Sequence, residues 1–158
     1  LGVLTRLKKN KIKIKVLMAG PNNEYKKKLM EDSYKLRIDD MIVWSDTLID
    51  DLKWIALKKS EAMILPSHGE NFGVSLVEAM SLSKPVITTS KVNISDKILS
   101  SKSGIITSNN LNSFYKGIIR FLQFSKKQKK ILSKNSYLCF SKYFNLEKNL
   151  ENFKDLIK

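Results

Sequence analysis

Ser60 to Ser90 reads SEAMILPSHGENFGVSLVEAMSLSKPVITTS, and its punctuation decides the fold. A short apolar run, Ala62 to Leu65, is closed by Pro66-Ser67. A polar, glycine-containing loop follows, His68-Gly69-Glu70-Asn71-Phe72-Gly73, then a helical pattern from Val74 to about Leu82. A second apolar run, Pro85-Val86-Ile87-Thr88-Thr89, ends the stretch. Both runs are too short for helices and the second is rich in β-branched residues, so the order is strand, loop, helix, strand. Two strands joined in this way are parallel. The chain is therefore expected to be α/β, a Rossmann-like parallel sheet flanked by helices, with its ligand crevice at the carboxyl ends of the strands.

The loop and the helix carry the chemistry. Val74, Leu76, Val77, Ala79 and Met80 suit a helix set against a sheet, whereas Asn71, Ser75 and Glu78 stand at i, i+4 and i+7 and form one polar stripe. A carboxylate on such a helix is unfavourable unless something satisfies it, which singles out Glu78. The open N–H groups at the helix start, near Phe72 to Ser75, suit an anion such as a diphosphate. Glu70 and Glu78 would then accept hydrogen bonds from hydroxyls on either side of that phosphate. A nucleotide sugar has this arrangement, with a ribose diol, a diphosphate and hexose hydroxyls.

ENFGVSLVEAM followed by PVITT closely resembles the donor-site signature of glycosyltransferase family 4, the group 1 glycosyltransferases of GT-B fold. The resemblance implies that Glu70 contacts and orients the donor sugar, the catalytic role without being a nucleophile, and that Glu78 binds the ribose hydroxyls. Phe72 and Gly73 map with Glu70 to the sugar end, and Val74 and Ser75 to the phosphates. Asn71 lies among them in the donor-binding set. His68, the only histidine, is a further candidate beside the phosphate or sugar, read as a loop residue and not as a proton relay. Trp44 and Ser45 are candidates of another kind, because in relatives the loop after that strand frames the base. Trp44 is read first as core. The resemblance also implies a nucleotide-diphosphate sugar as donor substrate, with no cofactor and no essential metal.

Composition bounds the alternatives. The length, 158 residues, suggests one domain with a proper core, and no window approaches a membrane span. The single cysteine, Cys139, excludes an internal disulfide and is read as a core thiol in a reducing cytosol. The net charge is +14, yet only three of the 29 basic residues are arginines (Arg6, Arg37, Arg120) and the lysines are spread along the chain. Specific phosphate or base readout would favour clustered arginines with aromatics between them, so nucleic acid is not an expected partner. Contact with an anionic membrane surface stays open, and the expected location is the cytoplasm, with the inner face of the membrane as the alternative.

The remaining elements follow in order. Val3 to Lys9 is expected to end a helix, Ile12 to Ala19 to form a strand, and Glu24 to Leu36 an amphipathic helix carrying Tyr25, Leu29 and Tyr34, capped by Asn22 or Asn23. Met41 to Trp44 is the next strand, and Asp46 to Lys59 holds a short helix. The acidic pairs Asp39-Asp40 and Asp50-Asp51 lack metal-ligand spacing and read as caps. Ile94 to Ser100 is a short helix, Gly104 to Thr107 a strand, and Leu111 to Phe124 an amphipathic helix with Leu111 on its apolar face. Lys126 to Lys130 is a solvated turn or helix start, before two closing helices at Ile131 to Phe140 and Leu146 to Ile157.

The resemblance covers nearly the whole chain but one half of a GT-B enzyme. Residues 1–158 are read as the carboxyl-terminal nucleotide-sugar domain, lacking its first strand and the amino-terminal acceptor domain. That partner would come in cis or as a separate chain. Alone, the chain is expected to bind a donor weakly and to transfer nothing. The activity implied is retaining glycosyl transfer to an acceptor hydroxyl, most commonly in polysaccharide or cell-envelope glycan synthesis. The alternatives are a non-catalytic nucleotide- or partner-binding module and a GT-B sugar-nucleotide epimerase.

Overall fold

The computed structural model describes residues 1–145 and is α/β, with parallel strands flanked by helices. It comprises two compact units, Leu1–Ile55 and Ala56 onward. Each has its own parallel sheet, one of two strands and one of three.

The first unit opens with α1 (Gly2–Lys9), whose Leu4 and Leu7 are buried. Strand β1 (Val16–Ala19) pairs in parallel with β2 (Ile42–Ser45), Val16 opposite Ile42 and Ala19 opposite Ser45. Between them lie α2 (Glu24–Lys35) and a single 3₁₀ turn over Asp39–Met41. Asn23 caps α2 by accepting from the Lys26 N–H at 2.9 Å, so of the two asparagines it is the second that serves. Both acidic pairs stand in first turns, Asp39-Asp40 in the 3₁₀ turn and Asp50-Asp51 in α3 (Asp50–Lys59), where a carboxylate complements the helix dipole.

Two expectations fail in this unit. Ile12 to Lys15 alternate in burial as a strand would, but stay outside β1. Their partner is missing, because β2 is four residues long and the chain before it is wound into the 3₁₀ turn. In α2 the tyrosines do not face inward: Tyr25 is 70% and Tyr34 75% exposed. The covered positions are Lys26, Leu29, Asp32 and Ser33, three of them spaced i, i+3 and i+7. The Lys26 ammonium donates to the Ser45 carbonyl at 2.8 Å and pairs with Asp46 at 2.9 Å, tying α2 to the carboxyl end of β2. A lysine thus takes the place the periodicity gives to an apolar residue.

The second unit orders β3 (Met63–Leu65), β4 (Val86–Thr89) and β5 (Gly104–Thr107) side by side, all parallel. Strand β4 lies at the centre and all four of its residues are buried, as a strand covered on both faces must be. Helix α4 (Val74–Ser81) connects β3 to β4 and α5 (Ser95–Ser100) connects β4 to β5. Then come α6 (Leu111–Gln123) and α7 (Lys126–Tyr143). The core joins Leu76, Ala79 and Met80 of α4 to Val86, Val92, Ile94, Ile98 and Cys139. At 25 cal/mol per Å² of apolar area, each such aliphatic side chain contributes about 1.5–3 kcal/mol. Cys139 is free and buried, the core thiol expected of it.

Close approach explains one glycine here. A Cβ on Gly104 would lie 2.3 Å from the Val86 carbonyl oxygen, so β5 can run beside β4 at this point only without a side chain. On α6 the buried face is Phe114, Gly117, Ile118 and Phe121, while Leu111, expected on that face, is half exposed at the helix start. The lysine run Lys126 to Lys130 is a helix start: Ser125 and Gln128 close a reciprocal capping box, and α7 runs on unbroken through the expected Ile131 beginning. The helix expected over Leu146 to Ile157 lies outside the described residues. No described helix is long and apolar enough to cross a membrane.

Candidate functional site

The loop from Pro66 to Gly73 leaves the carboxyl end of β3 and turns into α4. Gly73 makes the turn with φ +71°, the left-handed region that glycine enters without steric cost. A Cβ there would stand 3.2 Å from Val92 Cγ1 and 3.3 Å from Leu76 Cδ1, so conformation and space both require glycine. The Gly73 carbonyl accepts from the Leu76 N–H at 2.8 Å and opens the helix. Among the described residues no side chain caps α4, and the N–H groups of Val74 and Ser75 have no acceptor. Open amides at a helix start beside the carboxyl end of a parallel sheet are geometry that suits an anion.

Around that helix start the loop residues are disposed by the backbone. His68, Gly69, Glu70 and Asn71 are exposed and Gly73 is buried. Val74 is exposed, while Ser75 and Glu78 are half-buried on α4. The Glu70 carboxylate folds back to accept a long hydrogen bond from the Gly73 N–H at 3.4 Å, which places a carboxylate within reach of the open helix end. Phe72 packs the edge of its ring against Phe144 with centroids 5.8 Å apart. Its ring is otherwise about half exposed. Of the expected stripe, Ser75 and Glu78 lie on α4, while Asn71 stays in the loop before the left-handed turn at Gly73.

The candidates thus fall into two groups. His68, Glu70, Asn71, Phe72, Gly73, Val74, Ser75 and Glu78 come together in the second unit, within one loop and the helix it starts. Trp44 and Ser45 belong to the first unit, at the carboxyl end of β2, and both are half-buried. The Ser45 carbonyl accepts from Lys26 and from the Gly20 N–H at 3.3 Å. Among the described residues, the Ser45 hydroxyl and the Trp44 ring are left for another group.

The sequence reading passed over the turn after β4. Glu70 is bridged to Val92 in parallel: its N–H donates to the Lys91 carbonyl at 3.2 Å and its carbonyl accepts from the Asn93 N–H at 3.1 Å. Thr89, at the end of β4, donates its hydroxyl to the Ser67 carbonyl at 2.6 Å. Thr88 does the same to the Leu65 carbonyl at 2.8 Å. The available signal was the paired threonines closing a strand buried on both faces, where a hydroxyl has to find a partner.

The family described as "Glycosyl transferases group 1" matches residues 1–138. An uncharacterized glycosyltransferase of Methanocaldococcus jannaschii is 31% identical over 93 residues, covering 58% of this chain and 26% of that protein. The sucrose-phosphate synthase of Thermosynechococcus elongatus superposes with a TM-score of 0.82 at 18% identity, covering 99% of this chain and 41% of that one. HepE of Anabaena, solved in complex with UDP and glucose, gives a TM-score of 0.80 at 15% identity over 98% of this chain and 43% of its own. At such identities the structures establish the fold, and in each comparison this chain spans less than half the length of the protein it resembles.

Proposed function

The chain belongs to the group 1 glycosyltransferases, and from that membership we propose that it supplies the donor half of an enzyme transferring a sugar from a nucleotide sugar to an acceptor hydroxyl. The observation that carries this reading is the start of α4. The amides of Val74 and Ser75, without an acceptor among the described residues, are flanked by the Glu70 carboxylate on the loop side and by Glu78 down the helix. A diphosphate fits between two carboxylates only when hydroxyl-bearing groups separate it from them, as the hexose and the ribose do in a nucleotide sugar.

The mechanism proposed is electrostatic. The α4 amides stabilise charge on the departing diphosphate as the sugar gains oxocarbenium character. Glu70 orients the sugar through a hydroxyl, Glu78 fixes the ribose, and the anomeric configuration is retained. The acceptor is held by a further domain. This chain spans less than half the length of each protein it resembles, which supports the expectation that further chain completes the enzyme. Without that chain, donor binding is weak and transfer absent. HepE was solved with UDP, so UDP is the first nucleotide to try, followed by GDP and ADP.

Calorimetric titration of the chain and of Glu78→Ala tests the reading. Loss of a charge-assisted pair of hydrogen bonds weakens nucleotide binding by about tenfold or more. Equal binding by the two proteins removes Glu78 from the ribose site.

A further inference from the structure

The exposed loop that carries Glu70 has little to hold it from within. Among the described residues its internal side-chain bonds are those of the Ser67 hydroxyl, donating to the Gly69 carbonyl at 3.0 Å and accepting from the Gly69 N–H at 3.3 Å, and the long Glu70 to Gly73 contact. A Cβ on Gly69 would touch nothing within 4 Å. A carboxylate that orients a sugar has to be held within about 0.5 Å of its productive place, so the restraint comes from outside the loop.

The turn after β4 provides it. Thr89 is 2% exposed, and its hydroxyl does two things: it donates to the Ser67 carbonyl, where the loop begins, and accepts from the Lys91 N–H at 3.3 Å. Lys91 then accepts from the Glu70 N–H, and the Asn93 N–H donates to the Glu70 carbonyl. Between those two bonds sits Val92, fully buried, with its Cγ1 against the buried turn at Gly73. Valine would fill the volume of Thr89 without burying a hydroxyl, so a buried threonine is unfavourable unless the hydroxyl's bonds matter. We propose that Thr89 is a positioning residue for Glu70, fixing the donor-sugar end of the loop through Ser67 and the Lys91–Asn93 turn. The proposal rests on the reading of Glu70 as the sugar contact.

Thr88 supplies an internal control. It is equally buried and its hydroxyl also donates to a carbonyl, but that carbonyl belongs to Leu65, already held in the β3–β4 ladder. Thr88→Val and Thr89→Val therefore each remove a buried hydroxyl donor, one from the sheet and one from the loop, and Thr89→Val also removes the acceptor of the Lys91 N–H. Two quantities are measured on the chain: amide hydrogen exchange at Glu70, corrected for global stability, and the ratio of affinities for UDP-glucose and UDP, with the GDP and ADP pairs alongside. Thr89→Val is expected to speed exchange at Glu70 and to lower the sugar-to-diphosphate ratio by about three- to tenfold, the worth of a lost buried hydrogen bond. Thr88→Val moves neither quantity, and Thr89→Ser, which keeps the hydroxyl, restores both.

Equal Glu70 exchange in Thr88→Val and Thr89→Val overturns the proposal, whatever the ligands do. Faster exchange with an unchanged affinity ratio also overturns it, because the loop would then be held for stability alone. A wild-type chain that binds the diphosphate and shows no preference for its sugar conjugate sinks the assignment of Glu70 to the sugar. The exchange comparison then still decides whether Thr89 holds the loop.

Discussion

The two units solve the same problem with different means. In the second, β4 is buried on both faces, and Leu76, Val86, Val92 and Ile98 are wholly covered. In the first, β1 and β2 leave Leu17 and Val43, which face one another in register, about half exposed. Helix α2 buries only Ser33 fully, and α3 buries no residue fully. The first unit adds lysine ties to a smaller core of Leu4, Leu7, Ile38, Met41 and Ile42: Lys8 pairs with Asp40 and bonds the Arg37 carbonyl, Lys15 bonds the Asp40 carbonyl, and Lys26 binds Ser45 and Asp46. The lesson is that apolar burial is concentrated in the unit where the donor loop is anchored.

The largest effect separating the units is expected at paired glycines. Gly104→Ala forces a methyl onto the Val86 carbonyl at 2.3 Å, where only backbone movement makes room. Overpacking of this kind costs about 3 kcal/mol. Gly20→Ala, in the first unit, meets nothing within 4 Å and is expected to stay within about 0.5 kcal/mol of wild type. Urea unfolding of the two variants gives the contrast directly. Similar losses would mean that the units are not packed differently at these points.

A smaller effect tests whether packing also sets the site. Gly73→Ala puts a side chain at φ +71° and against Val92 and Leu76. The left-handed conformation alone costs about 1–2 kcal/mol. Because Gly73 starts α4, the variant is expected to lose diphosphate binding to a greater degree than its lost stability explains. A variant that unfolds earlier in urea yet binds UDP as well as wild type would detach the helix start from the anion.

The same contrast accounts for what the sequence made legible. In the second unit the strands could be found, because the apolar runs before Pro66-Ser67 and after Ser83-Lys84 become β3 and the central strand β4, which is covered on both faces. The donor loop was legible for another reason: its glutamates and glycine stand in a recognisable order. The turn that holds the loop was not, since Lys91, Val92 and Asn93 act through backbone groups and one buried valine. In the first unit periodicity misled. Tyr25 and Tyr34 are apolar enough to suggest a face, but Lys26 reaches inward to the Ser45 carbonyl, and a long aliphatic stem with a charged tip cannot be told from a solvated one by its letter. Ile12 to Lys15 have the alternation of a strand and lack the neighbour that would make them one.

The smallest effect expected is electrostatic and belongs to the first unit. The hydrogen bond from Lys8 holds the Asp40 carboxyl below the ordinary carboxylate range, helped by attraction to Lys8 and Lys15 and opposed by some desolvation. A carboxyl whose folded pKa is depressed adds stability above its unfolded pKa, and that contribution is lost as pH falls through the folded value. Asp40→Asn should therefore lower the melting temperature slightly at neutral pH, with the gap closing as pH falls through the lowered folded pKa and wild type becomes protonated. Added salt should narrow the gap at neutral pH as well, because the pair is open to solvent. Thr88→Val, which acts through a buried hydroxyl in the second unit, should show a gap indifferent to both. If the Asp40→Asn difference persisted unchanged in acid, the Lys8–Asp40 contact would be acting as neutral packing, and the division between a charge-held and a packing-held unit would lose its clearest member.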